Sequence, residues 1–341
     1  MSISVCIPAH NEGDLLKLVL SNLITTAGTD DFEIVIFNDG SKDSSCRFEP
    51  LRIDTQFRNL RITNSPIQYG VGYALDRAIE EASGDVVVIM GSDVMTDFGW
   101  IQSITEAVES NVGDIVCTAC VGISPDNMDM HREGRKIRYG ADMLVQMDFD
   151  DLPKATQDNF ILHKKYSYTD LFRAKWRSFK ESDEPYEIPC LLGAFYACKK
   201  EFYQNIHGFD TEAHKRFHGH MDYAHLESML SLKAYLYGGS CKMFPNIETA
   251  HIFGRADKRH RTRAHKASIY AWNALWIAYT MCDAELRDYL IDWLDSTLAY
   301  NRAKTYVRKN MESLLKVRER NKEEFVRDIQ WYMERFKIEL K

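Results

Sequence analysis

The feature that most constrains the fold is a series of short apolar runs that alternate with helical segments over the first 120 residues. Residues 3–7, 32–37 and 86–90 are mostly apolar, and segments 13–25 and 72–83 carry apolar residues at helical spacing. Strands that are apolar on both faces belong in a sheet covered on both sides, and the strand–helix order makes that sheet mostly parallel. The sequence therefore predicts an α/β fold with helices on both faces of the sheet.

Two later changes of pattern divide the rest of the chain. Residues 124–187 are polar and mix aromatic with charged side chains, which predicts either a partly helical insertion packed on the sheet or an acceptor-binding region. From residue 263 onward the pattern is helical, and Trp272 and Trp276 are expected in the core rather than as a sugar platform. We therefore predict the following units: a domain of residues 1–262, with halves 1–121 and 122–262, and a helical region of residues 263–341.

Composition limits the classes of function. The chain has 341 residues, of which 45% are hydrophobic and 27% charged, so a packed core is feasible. The net charge of -7 argues against nucleic-acid binding over the whole surface, although a local basic patch stays compatible with it. No apolar run approaches the ~20 residues of a membrane span. The first residues are typical of a strand rather than an export signal, so we expect a cytoplasmic protein with eight free cysteines.

Polar turns follow three of the predicted strands. Residues 8–12 follow the first strand, residues 38–41 the second, and residues 91–93 the third. In an open parallel sheet, ligands bind past the carboxyl ends of the strands, so these turns are expected to line one crevice. Asp39 can accept a hydrogen bond from a base or a ribose, and Asp93 offers the hard oxygen that Mg²⁺ and Mn²⁺ prefer. Together the three turns favour a nucleotide site.

These segments resemble the nucleotide-sugar glycosyltransferases of family 2, which have the GT-A fold. The resemblance rests on order and spacing in the first half: VCIPAHNE at 5–12, FNDGSKD at 37–43, YGVGYALD at 69–76, ASGD at 82–85 and GSD at 91–93. In the second half, GAFYA at 193–197 and IHGFD at 206–210 resemble the acceptor-side segment of polypeptide N-acetylgalactosaminyltransferases and β-galactosyltransferases. HIFGR at 251–255 resembles the former group. The resemblance covers roughly residues 2–256 and does not extend to the C-terminal helices.

The resemblance implies a Rossmann-like GT-A domain with a C-terminal helical extension. It implies transfer of a hexosyl or N-acetylhexosaminyl group from a nucleoside-diphosphate sugar, expected to be a UDP-sugar, with Mn²⁺ or Mg²⁺. Carried over to this chain, it assigns Asp93 and His251 to the metal, and Asp222 to the acceptor hydroxyl with Glu227 as the fallback. The residues that it assigns to donor binding are Pro8, Ala9, His10, Glu12, Asp39, Gly70, Ser92, Arg255 and Arg259.

The chain departs from the family pattern at two places. The metal motif of these enzymes is Asp-x-Asp or Asp-x-His, but Gly91 here replaces the first carboxylate. Metal affinity should therefore be weaker, or the donor phosphates must supply more of the ligands. The acidic pair that precedes the long helix in these families is here Met221 and Asp222. Asp222 has the chemistry of a general base, yet a helix N-terminus also favours an acidic residue there for electrostatic reasons alone.

Two charged clusters leave alternatives open. The basic run at 255–266 has three alternative interpretations. It closes over the diphosphate, it contacts a polyanionic acceptor such as DNA, or it forms an ordinary solvated face. A histidine cluster is compatible with sugar or acceptor contacts, with a zinc site, or with polar surface. It consists of His214, His218, His220 and His225.

The acceptor is the least constrained part of the predicted function. A glycan or protein hydroxyl is the ordinary expectation, and a hydroxymethylated base in phage-type DNA is the alternative, which would require the base to leave the stack. Because one metal carboxylate is absent, an inactive nucleotide- or glycan-binding module is the alternative from another class. The C-terminal helices could also form a homo-oligomer.

Overall fold

The computed structural model describes residues 1–43, 59–151, 154, 157, 169–193, 195–211, 225–253, 263–294 and 298–341. The first half contains these elements in chain order: β1 (Ile3–Ala9), α1 (Leu15–Thr26), β2 (Glu33–Asp39), β3 (Leu60–Ser65), α2 (Val71–Glu81), β4 (Val86–Met90), β5 (Val94–Thr96), α3 (Trp100–Glu109) and β6 (Ile115–Ile123).

The second half begins with a small two-stranded sheet. Its elements are β7 (Ile137–Arg138), β8 (Ala141–Asp148), a 3₁₀ turn (Phe149–Asp151), β9 (Thr169–Trp176), β10 (Tyr186–Glu187), β11 (Phe195–Lys199), α4 (Lys200–Asn205), α5 (Leu226–Leu236) and β12 (Cys241–Ile252). Five helices follow: α6 (Arg263–Met281), α7 (Ala284–Trp293), α8 (Leu298–Lys309), α9 (Met311–Glu324) and α10 (Ile329–Phe336).

The central sheet has the strand order β10-β12-β6-β11-β4-β1-β2-β3. Strands β3, β2, β1 and β4 are parallel, β11 runs antiparallel between β4 and β6, and β6 is parallel to β12. Side chains of β4 alternate between two cores: Val87 and Ile89 enter the one shared with α2, while Val88 enters the one shared with α1 and α3. The predicted α/β class, with a sheet covered on both faces, is confirmed.

The C-terminal helices share a core with one face of the sheet. Trp272 and Trp276 on α6 are fully buried in the same cluster as α2 and α5, so the prediction that they are core residues is confirmed. Helices α6 and α8 run antiparallel, because Tyr306 packs against Trp272 with ring centroids 6.3 Å apart while Tyr300 is close enough to Tyr279 to interact electrostatically. Within the described part of the chain, no helix combines the length and the apolar character that a membrane crossing needs.

Two features of the second half were not anticipated from the sequence. Part of the segment 124–187 forms the β8–β9 hairpin, in which Met143, Val145 and Leu171 are buried, while the expected helical part includes the 3₁₀ turn Phe149–Asp151 and residues 154 and 157. The two short strands expected at 240–244 and 248–253 form the single strand β12, whose register against β6 shifts between Phe244 and Glu248. A register shift of this kind interrupts the periodicity of a strand without ending it.

A buried ion cluster joins the C-terminal helices to the turn that follows α4. The Lys233 ammonium on α5 donates to Asp210 Oδ2 at 2.8 Å and to the carbonyl oxygen of Gly208 at 2.8 Å. Arg320 on α9 donates to the other oxygen of Asp210 at 2.7 Å. The side chains of Lys233 and Asp210 are 0% and 1% exposed, so this cluster is part of the core.

Candidate functional site

The carboxyl ends of β1, β2 and β4 meet at one edge of the sheet, as the sequence predicts. Pro8 and Ala9 end β1 opposite Phe37 and Asn38 of β2, and Asp39 ends β2. Ser92, which is 7% exposed, lies in the turn after β4. This edge is where an open parallel sheet binds its ligands.

The two loops that follow β1 and β2 are hydrogen-bonded into one wall. His10 Nδ1 lies 2.6 Å from the carbonyl oxygen of Asp39, and because a carbonyl can only accept, Nδ1 carries the proton. His10 Nε2 then accepts from the Asn11 amide at 2.8 Å. Asn11 has a left-handed backbone, and its side-chain oxygen accepts from the backbone N–H of Lys42 at 2.7 Å. Glu12, in the same loop, is buried. The hydrogen bonds of His10 and Asn11 connect the two loops.

Asp39 organises the backbone at the start of α2. Its two carboxylate oxygens accept the N–H groups of Tyr69, at 2.6 Å, and Gly70, at 2.8 Å, and the residue is 3% exposed. Gly70 has a φ of 111°, in the region that favours glycine. The role of Asp39 towards a nucleoside stays a prediction.

Gly40 allows the chain to turn tightly against the loop before α2. Its φ is 68°, and an added Cβ would lie 2.5 Å from the carbonyl carbon of Ile67. Gly40→Ala should cost about 3 kcal/mol of unfolding free energy, because backbone must move in addition to the left-handed strain. Gly28→Ala is the matched control: Gly28 has a φ of 75° with nothing within 4 Å of an added Cβ, so we expect only about 1 kcal/mol. Urea unfolding measures both; equal losses would contradict the assignment.

Asp93 and His251, the predicted metal ligands, are adjacent. Strand β5 pairs with β12 so that Val94 lies opposite His251, and the N–H of Ile252 donates to the carbonyl oxygen of Asp93 at 2.9 Å. Asp93 Oδ1 and His251 Nε2 are 3.5 Å apart, and the two side chains are 23% and 21% exposed. The pair is therefore partly open to solvent at the carboxyl edge of the sheet.

The donor set of this pair fits a divalent cation. Neighbouring ligands of an octahedral cation at about 2.1 Å are about 3 Å apart, close to the observed separation of the carboxylate oxygen and the imidazole nitrogen. A carboxylate with an imidazole suits Mn²⁺ better than Mg²⁺, which prefers oxygen ligands alone. Over the described ranges, no group of three or more His, Cys, Asp or Glu residues could hold a metal ion.

Exposed aromatic rings adjoin His251. The ring of Phe253 lies 4.2 Å from that of His251, and Trp176 on the β8–β9 hairpin lies 5.8 Å from Phe253. Phe253 is 39% and Trp176 37% exposed. The sequence places both in aromatic-rich segments, but only the fold brings them together beside the predicted metal pair.

Glu227, the fallback catalytic residue, lies on α5 against the chain at Gly193. A Cβ at Gly193 would come within 2.3 Å of the Glu227 carboxylate, so the Glu227 side chain packs directly on this part of the backbone. Burial raises the pKa of Glu227, although Arg173 opposes that shift. The other predicted residues Asp222, Arg255 and Arg259, together with the histidines at 214, 218 and 220, lie outside the described residues.

A buried polar cluster at the start of α5 was not anticipated from the sequence. His225 has a left-handed backbone with φ 61°, its side chain is 0% exposed, and its Nε2 lies 3.4 Å from Asp170 Oδ1 on β9. Burial opposes ionisation of Asp170, but His225 and then Arg173 outweigh it and hold the pKa of that carboxyl below its usual value. Tyr270 on α6 contacts both His225 and Arg173. A histidine in a polar stretch gives no sequence signal for such burial.

Two cavities lie away from this edge. One of about 440 Å³ is lined by residues at the amino ends of β1 and β2, including Ser2 and Glu33. The other, of about 420 Å³, lies between Asp114, Ser240 and Trp331. Neither is lined by a predicted site residue, so the carboxyl edge remains the candidate site.

Comparisons with known proteins find similarity to glycosyltransferases. Residues 4–169 match the family model described as glycosyl transferase family 2. A curated relative, the probable N-acetylgalactosaminyltransferase 9 of Caenorhabditis elegans, is 22% identical over 261 residues, which cover 75% of this chain and 40% of the relative.

Two solved structures have a similar fold. GalNAc-T7, determined with UDP, GalNAc and Mn²⁺, gives a TM-score of 0.63 at 16% identity, over 98% of this chain and 56% of that chain. The mannosyltransferase PcManGT of Pyrobaculum calidifontis, determined with GDP-Man and Mn²⁺, gives a TM-score of 0.51 at 15% identity, over 91% of this chain and 75% of that chain. This chain thus spans about half the length, or less, of its N-acetylgalactosaminyltransferase relatives.

Proposed function

We propose that this chain transfers a sugar from a UDP-sugar to an acceptor hydroxyl with the help of a divalent cation. The match of residues 4–169 to the family 2 glycosyl transferase model and the GT-A fold support this proposal. The enzyme class and the fold agree with the expectations from the sequence. Use of a nucleotide-sugar donor is common to the solved neighbours, whose bound molecules include UDP and GDP-Man. The choice of uridine, the cation and the acceptor are parts of the proposal.

The observation that carries the proposal is the pairing of Asp93 with His251. Their facing atoms are 3.5 Å apart and partly exposed at the carboxyl edge. Because both side chains are partly exposed, a ligand from solvent can reach the pair. A cation bound between them would neutralise the charge that develops on the departing nucleoside diphosphate.

The protein's own residues define where the donor binds. The wall formed by residues 10–13 and 40–43 is held by side-chain hydrogen bonds, including one from the N–H of Gly13 to Asp43 Oδ2 at 3.0 Å. Such a wall can hold a base and ribose in a fixed orientation, which lowers the entropic cost of reaching the transition state. Pro8, Ala9 and Ser92 form the floor between this wall and Asp93.

The role of the acidic residue on the α5 side of the site depends on the stereochemistry of transfer. In an inverting enzyme, Asp222 would deprotonate the acceptor hydroxyl, and in a retaining enzyme it would position the substrate. Glu227 is the fallback if the family alignment shifts, and burial raises its pKa.

The surroundings of His251 favour a glycan or peptide acceptor over a DNA base. The exposed rings of Phe253 and Trp176 offer an apolar surface next to the predicted metal pair. An amphipathic sugar face or a peptide side chain packs on such rings. The basic run at 255–266, on which the DNA alternative depends, lies largely outside the described residues.

Nucleotide-dependent stabilisation tests the donor. We expect UDP with Mn²⁺, at about a hundredfold excess over its Kd, to raise the Tm by roughly 4–6 °C, and EDTA to remove most of that shift. GDP with Mn²⁺ is the matched comparison and should give a smaller shift. Slow release of UDP from a UDP-sugar should accompany the binding. Binding without any turnover would favour an inactive nucleotide-binding module, and no shift with any nucleotide would contradict the proposal.

A further inference from the structure

Helix α8 presents an exposed cationic face. The helix carries Arg302, Lys304, Arg308 and Lys309 and has no Asp or Glu, although the chain as a whole has a net charge of -7. At 100° per residue, the exposed residues Asn301, Arg302, Thr305, Arg308 and Lys309 fall within an arc of about 120°. The opposite side of the helix, with Tyr300, Ala303 and Val307, is buried against the bundle. The cationic face is thus one continuous surface.

Among the described residues, no acidic side chain pairs with the cations of this face. Arg302, Arg308 and Lys309 form no ion pair or hydrogen bond through their side chains across the described ranges. The nearest described acidic residues on either side of α8 in the chain are Asp292 on α7 and Glu312 on α9, and both are exposed. Asp295, which is nearer in the sequence, lies outside the described residues. Lys304 lies over the ring of Tyr300, 4.3 Å from its centroid, and is half-buried. Three fully charged groups therefore face solvent together.

The cationic face also lies near the acceptor side of the site. The C-terminal half of α8 packs on the first half of α6 through Tyr306 and Trp272. Tyr270, in the same part of α6, contacts His225 at the start of α5. Arg308 and Lys309 therefore lie at the end of the bundle that adjoins the start of α5.

We propose that the cationic face of α8 docks this chain on an anionic lipid bilayer. The face is convex, so its long side chains can all reach a plane. Each Lys or Arg near an anionic leaflet contributes a favourable electrostatic interaction that is short-ranged and screened by salt. The face exposes no aromatic ring, whereas surfaces that bind single-stranded nucleic acid interleave cations with stacking platforms. The docking would bring the site close to acceptors held at the bilayer surface.

Vesicle sedimentation of the full chain tests this docking without any assay of sugar transfer. We expect wild-type protein to pellet with phosphatidylcholine vesicles that contain about 30% phosphatidylserine, and to stay in solution with phosphatidylcholine alone. The triple variant Arg302→Gln, Arg308→Gln, Lys309→Gln should bind the anionic vesicles roughly 100-fold more weakly. Salt at about 0.5 M should release the wild-type protein.

The control removes the same charge elsewhere. Lys136→Gln, Lys175→Gln, Lys337→Gln changes three exposed lysines outside α8, and its binding should stay within about threefold of the wild type. Circular dichroism checks that both triple variants are folded. Equal binding to neutral and anionic vesicles would overturn the proposal, as would equal weakening in the two variants. Retention of a short DNA duplex without vesicle binding would overturn it in favour of a nucleic-acid surface.

Discussion

Asp93→Asn should reduce metal-dependent turnover of the UDP-sugar by about 10²–10³-fold, the range expected when one group that stabilises transition-state charge is lost. The substitution preserves the size of the side chain but removes the negative charge from one of the two proposed cation ligands, Asp93 and His251. Because the residue is partly exposed, the Tm of the unliganded protein should change little. The stabilisation by UDP with Mn²⁺ should fall together with turnover.

The chain offers a matched control for this experiment. Asp97 and His131 form a second carboxylate–imidazole pair, with Nε2 and Oδ1 3.3 Å apart, and both side chains are more exposed than those of Asp93 and His251. Asp97→Asn should leave turnover within about twofold of the wild type, as expected for a surface change away from the site. If both substitutions reduce turnover equally, or if Asp93→Asn leaves it unchanged, the metal role of Asp93 is wrong.

His251→Gln extends the test to the second proposed ligand. If both side chains bind one cation, the double variant should lose little more than the worse single variant, because the cation is already lost. Additive losses would instead indicate that the two residues act separately.

The sequence was sufficient for the architecture around β1, β2 and β4 because these strands are buried on both faces. Val86–Met90 is buried throughout, so its composition alone indicates a sheet covered on both sides. The β8–β9 hairpin was missed because its alternation is irregular: Leu144 is only half-buried on β8, while Arg173 and Lys175 interrupt β9. The apolar and polar pattern of a single strand does not show which other strand pairs with it.

The candidate site was predictable as a set of residues but not as a geometry. Asp93 and His251 were each identified from a motif, yet their contact depends on the antiparallel pairing of β5 with β12, which is set by tertiary structure. The pairing of His225 with Asp170 joins α5 to β9 and had no local signal. For Asp39, the sequence identified the turn that carries the residue. It did not predict that the Asp39 carboxylate accepts hydrogen bonds from the backbone before α2.

The largest effect on stability is expected from Asp210→Asn. This substitution leaves the Lys233 ammonium, which is 0% exposed, without its buried counter-charge, and loss of one partner of a buried pair costs about 3–5 kcal/mol. Arg320→Gln should cost less, because its side chain is 26% exposed and Lys233 still neutralises Asp210. Urea unfolding at neutral pH measures both changes.

The double variant Asp210→Asn, Lys233→Met separates the loss of the pair from the loss of a charge. Removing both charges should recover part of the stability lost in Asp210→Asn, since no buried ion is left unpaired. Recovery should be incomplete, because the carbonyl oxygens of His207 and Gly208 lose the donor that Lys233 supplies. A double variant less stable than Asp210→Asn would contradict this account.

The pH dependence gives an independent test of the same cluster. Burial opposes ionisation of Asp210, but Lys233 and Arg320 outweigh it and hold the pKa of that carboxyl below its usual value. A carboxyl whose pKa is lower in the folded than in the unfolded protein stabilises the fold above the unfolded pKa of about 3.9, and this contribution is lost as pH falls through the folded pKa. Wild-type stability should therefore fall more steeply than that of Asp210→Asn below about pH 4. Identical acid profiles would show that the Asp210 carboxylate does not contribute its charge to folding.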